Sequence, residues 1–417
     1  MAEKFPISIW CYNNIDEFTP DEVNVWADCG LTVTMSPKVI YGQDEPAKLI
    51  TFLDVAEKRG IKLIAFIDGL ELEHIRKLGL EGYRARFTEV YNIIKHPALY
   101  GFYIGDEPGT KEQFEDSVNC VKFQKETAPE LTPYLNLHTC MDDTDPALLG
   151  GRTFRQWLKD FAKDTGFKLF SYGHYDQVWN EDGVDSYFRN LKALVSAASE
   201  AGVDCWNTQL SSAHYMFRIP NYYEIMWQLT TAAACGSRGV NWFRFYDRPT
   251  IQNYHYSAID EYRNKTTVYY DMLRANRRFN DHHGEMIMRM HLKDTYFTRR
   301  TYGGYDIFTD QKHPIIKDVV STEPAIVSFF EDTDGTEYLC LVNASMETAG
   351  VFRPRFDREK YALIEVWQNG KAENPYTMGD SLAHWDGHWL YPGQMGMFRI
   401  EHRATTDKAG ARPIWTN

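Results

Sequence analysis

Eight short apolar runs, separated by amphipathic stretches, recur along the amino-terminal part of the chain. They span residues 7–12, 31–37, 61–68, 99–105, 131–138, 167–172, 203–209 and 240–246. Each is rich in β-branched or aromatic residues, as buried strands are. They recur every 25–40 residues or so, the length of a strand plus its crossover helix. The intervening stretches carry helix punctuation. Thr19-Pro20-Asp21-Glu22 offers a cap, a proline at the first helical position and a capping-box acid, and Thr110 with Gln113 offers a second capping box. Gly30, Gly60 and Gly202 each end a helix and run straight into the next strand. Eight such units predict an α/β fold, a parallel (β/α)8 TIM barrel. An open doubly wound sheet shares the alternation, but no glycine-rich phosphate loop follows the first run.

The 417 residues leave room for a smaller module beyond the barrel. A polar helix over 257–278 is expected to close the barrel region. Beyond it, residues 295–301, 325–331, 338–343, 362–368 and 395–401 read as short strands. Asp334-Gly335, Asn369-Gly370 and Pro392-Gly393 punctuate them as turns. The expected organisation is a catalytic barrel over 1–288, a C-terminal antiparallel β-sandwich over 289–403 and a frayed polar tail over 404–417.

A net charge of −13 opposes binding to nucleic acid or anionic membranes, so neither is an expected partner. Aromatic residues make up 15%, which implies a large aromatic core or a cleft that stacks flat faces such as sugar rings. The seven cysteines have no paired spacing and read as small buried hydrophobes. No run is long and apolar enough to span a bilayer. No basic stretch precedes an apolar leader, so the expectation is a cytoplasmic protein, or a secreted or periplasmic one whose leader was removed. Oligomeric state is left open.

In such a barrel, chemistry gathers at the carboxyl ends of the strands. The fourth run, LYGFYIGDEP, ends in two adjacent acids, Asp106 and Glu107. Other ends offer Trp10, Asp68, His138, His174, Tyr175, Asp176, Gln209, Trp242, Arg244, Tyr246 and Asp247. Carboxylates flanking a glycosidic bond explain this rim economically: one protonates the leaving oxygen, the other attacks the anomeric carbon or activates water. Aromatic rings would stack the sugar. Structural readings compete with this. Acids favour helix N-termini, His174 could be a hydrogen-bonded rim histidine, Arg244 could pair internally with Asp247 or Asp106, and Asp68 could start a turn with Gly69. Thr110 and Gln113 already cap the helix after the acid pair, which leaves the acids another role.

Gly105–Pro108 resembles the Asn-Glu-Pro motif that ends strand four in clan A glycoside hydrolases, with Asp106 in place of Asn. His174-Tyr175 is similar to a His/Tyr pair near the substrate of those enzymes. The stretch from Arg218 to Asp247 contains Tyr-x-Glu-x-x-Trp-Gln and Ala-x-x-x-Gly-x-x-Gly-Val-Asn-Trp-Phe, and it resembles the barrel end of β-galactosidase-like family 42 proteins. The resemblance implies Glu107 as acid/base, with burial or the Asp106 charge raising its pKa. It also implies a nucleophilic Glu ending strand seven, where this chain has Gln209. The second carboxylate could come from elsewhere, with Asp176 favoured and Asp247 next. Hydrolysis could instead be lost and sugar binding kept, or Gln209 could stand in for a Glu.

The leading expectation is therefore a glycoside hydrolase acting on an oligo- or polysaccharide. The alternative is a silent carbohydrate-binding protein on the same fold. Less favoured is a metal-dependent hydrolase using Asp68, His138, His174 and Asp176, since no His-x-His or His-Glu-x-x-His spacing occurs. No cofactor or metal is expected. A Schiff-base aldolase is disfavoured, because Lys62 and Lys168 lie at strand starts. Trp385, Trp389 and Tyr391 could bind glycans, but the favoured expectation is that they pack the sandwich against the barrel.

Overall fold

The computed structural model describes residues 3–139, 144–248, 254–373 and 388–403. Eight parallel strands form a nearly closed barrel: β1 (Ile7–Ile9), β2 (Val33–Met35), β3 (Lys62–Ala65), β4 (Leu99–Asp106), β5 (Tyr134–Leu137), β6 (Leu169–Gly173), β7 (Asp204–Leu210) and β8 (Gly239–Phe243). Hydrogen-bonded neighbours run β1–β8–β7–β6–β5–β4–β3–β2. The Thr32 N–H donates to the Ile7 carbonyl at 3.0 Å and stitches the seam between β2 and β1. All eight expected runs are strands, most of them trimmed at one or both ends.

The outer layer is α1 (Glu22–Asp28), α2 (Lys48–Arg59), α3 (Glu73–Ile94), α4 (Lys111–Thr127), α5 (Phe154–Thr165), α6 (Glu181–Ala201), α7 (Tyr222–Ala234) and α8 (Thr267–Phe279). The capping box of Thr110 and Gln113 forms at α4. The one expected at Thr19 does not: α1 starts at Glu22 with no side-chain cap. Gly60 and Gly202 take the left-handed backbone that ends α2 and α6. The closing helix begins ten residues later than expected. Ile259 instead exchanges backbone bonds with Phe245 and Asp247, and the Asp260 carboxylate accepts from the Tyr262 and Asn264 amides, holding that segment as a loop.

Side chains of each barrel strand alternate between the barrel axis and the helix layer. On β7, Trp206 and Thr208 face the axis. Trp206 stacks on Tyr100 there, with centroids 5.7 Å apart. Gly239 of β8 makes room for it, since a Cβ there would lie 2.5 Å from the indole nitrogen.

The C-terminal module is a β-sandwich. One sheet contains β9 (His291–Phe297), β11 (Ala325–Glu331), β12 (Glu337–Asn343), β16 (Met395–His402) and β14 (Tyr361–Trp367), in that order. The facing sheet contains β10 (Asp318–Ser321), β13 (Gly350–Arg355) and β15 (His388–Leu390). Sequence reading found the larger sheet and missed the smaller one. The central strands are apolar throughout because both their faces are buried. On β12, Leu339 and Leu341 fill the sandwich core, while Tyr338, Cys340 and Val342 join the barrel's apolar cluster. The sheet docks on α7, where Trp227 Nε1 donates to the Ala344 carbonyl at 2.8 Å and Thr230 Oγ1 to the Gly393 carbonyl at 2.6 Å. Trp389 and Tyr391 are exposed and so do not make the packing expected of them. Trp385 and the 404–417 tail lie outside the described residues. Cys11, Cys29, Cys120, Cys205, Cys235 and Cys340 are buried and unpaired. Among the described residues no helix is long and apolar enough to cross a membrane.

Candidate active site

The site begins with an irregularity in β4. Tyr103 pairs with Tyr134 of β5, and Asp106 pairs with Asn136, so four residues on β4 face three on β5. Tyr103 and Asp106 are three positions apart and would face opposite ways in a regular strand. The bulge brings both to the barrel axis. Gly105 permits this: a Cβ there would lie 2.4 Å from Leu72 Cδ2.

Asp106 is thereby half-withdrawn into the barrel. Asn136 Nδ2 donates to its Oδ1 at 2.9 Å. Burial, then the neighbouring Glu107 charge, push its carboxyl up to about 6, although the Asn136 bond favours the ionised form. Glu107 differs. It is exposed, its backbone is left-handed (φ 45°), and its N–H donates to the Asn136 carbonyl at 2.8 Å. The burial expected to raise the Glu107 pKa thus falls on Asp106 instead.

Beneath the pair lies a polar layer. Thr208 Oγ1 donates to Asn136 Oδ1 at 3.3 Å, Asn241 Nδ2 donates to Tyr134 Oη at 3.1 Å, and Tyr134 Oη meets Ser171 Oγ at 2.9 Å. Around it is an aromatic basin. Trp10 meets Tyr12, Tyr103, Tyr134 and Phe243, with centroids 5.6–6.4 Å apart. Tyr175 stacks on Phe243 at 5.8 Å. Burial, then the Asp106 charge, hold the Tyr175 phenol well above its ordinary pKa. The buried Trp10 Nε1 has no partner among the described residues.

The loop after β3 leans on this site, because the Leu72 N–H donates to the Ile104 carbonyl at 2.8 Å. It brings Glu73 to the start of α3, close enough for its charge to raise the Asp106 pKa. Asp68 lies on the same loop with Lys38 at 3.6 Å and His74 at 3.7 Å. Asp68, Glu71 and His74 bring ligand atoms within 4.8 Å of one another. The less favoured grouping of Asp68 with His138, His174 and Asp176 does not form among the described residues. Burial first raises Glu71 to about 6.

After β6, Ser186 of α6 donates to Asp176 Oδ2 at 3.0 Å and lies 3.1 Å from His174 Nε2. Asp176 Oδ2 is 3.4 Å from the same imidazole nitrogen. His174 is buried there, and desolvation lowers its pKa. Asp176 is thus drawn toward α6, although a third of its side chain stays exposed. His138, after β5, is exposed.

Three expected site residues turn away from the axis. Gln209 Nε2 donates to the Gln228 carbonyl of α7 at 2.7 Å and reaches Tyr187 of α6. Trp242 donates to Asn276 of α8 at 3.2 Å. Tyr246 donates to Glu22 of α1 at 2.8 Å and accepts from Trp26. All three are buried in helix packing: strand parity turns Gln209 and Trp242 outward, and Tyr246 follows the end of β8. Gln209 therefore does not occupy a substrate-facing position. Arg244 and Asp247 form an internal ion pair at 3.8 Å, and Ser257 donates to Asp247 at 2.7 Å.

Sequence reasoning missed Tyr12, Tyr103, Tyr134, Thr208, Asn241, Phe243 and Glu73. A strict count of alternate positions back from each strand end would have found Thr208, Asn241 and Phe243. Nothing local in the sequence signals Glu73, which the loop's docking on β4 brings in.

No family model and no curated protein matches the chain. Solved structures do resemble it. A catalytic mutant of a family 42 β-galactosidase from G. stearothermophilus aligns with TM-score 0.63 at 9% identity, over 96% of this chain and all of that one. A structure described as a glycoside hydrolase aligns with TM-score 0.56 at 10% identity, over 97% of this chain and 93% of that one. A cold-adapted β-galactosidase from Rahnella sp. R3 aligns with TM-score 0.52 at 11% identity, over 70% of this chain, which spans 58% of that protein. The likeness is one of architecture: the chain shares with these proteins a (β/α)8 barrel with a β-sandwich attached.

Proposed function

We propose that the barrel mouth cleaves glycosidic bonds in an oligo- or polysaccharide. The Asp106–Glu107 pair carries the reading: two adjacent carboxyls of unequal burial at the mouth of an aromatic basin. Asp106 is the buried member, and burial raises its carboxyl to about 6. Glu107, at the mouth, meets the glycosidic oxygen. Glu107 in its acid form gives its proton to the leaving oxygen as the C–O bond breaks. The second carboxylate either takes the proton of the attacking water, giving inversion, or bonds the anomeric carbon until water, deprotonated by Glu107, displaces it, giving retention. Tyr12 and Tyr175 supply stacking faces, and the buried Trp10 backs them from beneath.

For the second carboxylate, Glu73 is the better supported candidate and Asp176 the weaker one. The Leu72 contact brings Glu73 beside Asp106, whereas Asp176 is engaged with Ser186. A separation near 5 Å from the acid would imply retention, and roughly 6.5–9.5 Å inversion. Silent sugar binding remains the second reading, because the axis-facing residue near the end of β7 is Thr208, not an acid.

The test is a panel of aryl glycosides and oligosaccharides assayed by product release. The wild-type protein is expected to turn over at least one of them. Glu107→Gln should lose roughly 10²–10⁴-fold in kcat and still bind the sugar by calorimetry. Turnover unchanged in Glu107→Gln overturns the assignment. Binding without turnover by the wild-type protein favours the second reading.

A further inference from the structure

We propose that the tight turn of residues 214–217, after β7, is a stacking platform for a sugar ring beyond the scissile bond. The inference rests on the glycan-cleaving reading above and narrows its substrate to chains rather than single-ring glycosides.

The turn is closed by two backbone bonds. The Phe217 N–H donates to the His214 carbonyl at 2.8 Å, and the His214 N–H to the Phe217 carbonyl at 3.1 Å. Its two central residues are Tyr215 and Met216, with exposures of 63% and 59%. Tyr215 has a left-handed backbone (φ 50°). Two-residue hairpin turns of this kind favour Gly, Asn or Asp at such a position, and a bulky aromatic there is uncommon. Local folding preference therefore does not account for Tyr215. Such outliers point to function when the surroundings hold them in place. Backbone pairing anchors the turn here: the adjacent ribbon pairs Ala213 with His255 and His214 with Tyr254.

The platform is continuous with the basin. Tyr215 lies 4.5 Å from His214, centroid to centroid. His214 lies 5.5 Å from Phe243 and 5.9 Å from Tyr175. An unbroken series of rings thus leads from Trp10 on the floor to solvent. Residues 213–217 carry no Lys, Arg, Asp or Glu. Burial, then the Arg244 charge, push the His214 imidazole down to about 4, so it is neutral at neutral pH. An uncharged aromatic shelf joined to an aromatic basin suits the flat face of a neutral sugar better than a charged ligand.

Tyr215→Asn and Tyr215→Phe test this. Asn is at ease in the left-handed backbone, so the turn should fold. The probe is an array of oligosaccharides of one to six rings or so, followed by calorimetry with the tightest ligand and its shortened forms. Measurements use the Glu107→Gln background, so that chains survive. Tyr215→Asn should lose about tenfold or more in affinity for the long form and none for the single ring, and Tyr215→Phe should bind like the parent. Equal affinity at every length overturns the proposal, as does failure of every array glycan to bind. A length-independent loss with a lowered Tm would mean a merely structural role and also overturns it. Loss of self-association in Tyr215→Asn with glycan affinity unchanged would assign the tip to a second copy, again overturning it. Length-dependent binding without wild-type turnover would keep the platform and sink hydrolysis. Turnover that Tyr215→Asn leaves unaffected at all lengths would do the reverse.

Discussion

The carboxyl ends of β4 and β5 and those of β7 and β8 are similarly rich in polar and aromatic residues, yet they do different things. At β4 and β5, Asp106 and Asn136 point to the axis and bond each other at 2.9 Å. At β7 and β8, Gln209 and Trp242 point outward and clamp α7 and α8 to the strands. Parity makes the difference. A regular strand sends alternate residues to opposite faces, and a one-residue shift reverses them all. β4 contains such a shift and so directs its acid inward. β7 pairs in unbroken register with both its neighbours. A residue at the end of a barrel strand is thus a site candidate only after its parity is known.

The largest expected effect tests the β7 half of this contrast. If Gln209 were a substituted nucleophile, Gln209→Glu would create or raise activity. The geometry forecasts the opposite. The new carboxylate would face the Gln228 carbonyl in a fully buried position. A buried charge left uncompensated costs roughly 3–5 kcal/mol. Urea unfolding at pH 7 should show a loss of that size, smaller at pH 4 where the acid is protonated, and the glycoside panel should show no gain. Increased turnover in this variant would break the contrast.

The same parity argument explains what could be read from the sequence. The eight strands were legible because a buried parallel strand is an uninterrupted apolar run. The larger sandwich sheet was legible for the same reason. The smaller sheet was not: β10 is only four residues long, with alternate positions exposed, and β13 contains Arg353, Pro354 and Arg355. Within the site, the acid pair and the Thr110 cap could be read directly. The bulge could not, because nothing in LYGFYIGDEP reveals which residue drops out of register. Continuous apolar runs also conceal which alternate set faces the axis, which is how Gln209, Trp242 and Tyr246 came to be placed on the substrate side. Glu73 depends on a contact between two loops and has no local signature.

A middle-sized effect sharpens the β4 half. The folded-state pKa of Asp106 is raised from 3.8 to about 6. Its contribution to stability is therefore fully present below pH 3.8 and is lost as pH rises through about 6. Asp106→Asn removes that loss and keeps an acceptor for Asn136. At pH 8 the variant should be more stable than the parent by roughly 3 kcal/mol, and at pH 4 the two should nearly match. Glu71, also raised to about 6, leaves a residual slope in both proteins. Activity should move the other way. The parent's rate should fall as pH rises through the Asp106 range, and the variant should lose that limb. A stability difference independent of pH would mean that Asp106 is not the carboxyl holding the proton.

The smallest effect concerns Tyr246, which looks like a site residue by position and is a helix clamp by geometry. Its hydroxyl accepts from Trp26 and donates to Glu22, both on α1. Tyr246→Phe leaves the buried indole N–H of Trp26 without that acceptor, while Glu22, partly exposed, can turn to water. The expected loss is about 1 kcal/mol, read as a modest drop in Tm. Because the ring stays in place against Phe18 and Phe245, the basin is undisturbed, and kcat/KM on the best panel substrate should stay within about twofold. If kcat/KM instead falls by tenfold or more with Tm unchanged, Tyr246 touches substrate. The end of β8 would then belong with that of β4, and parity would no longer separate the two rims.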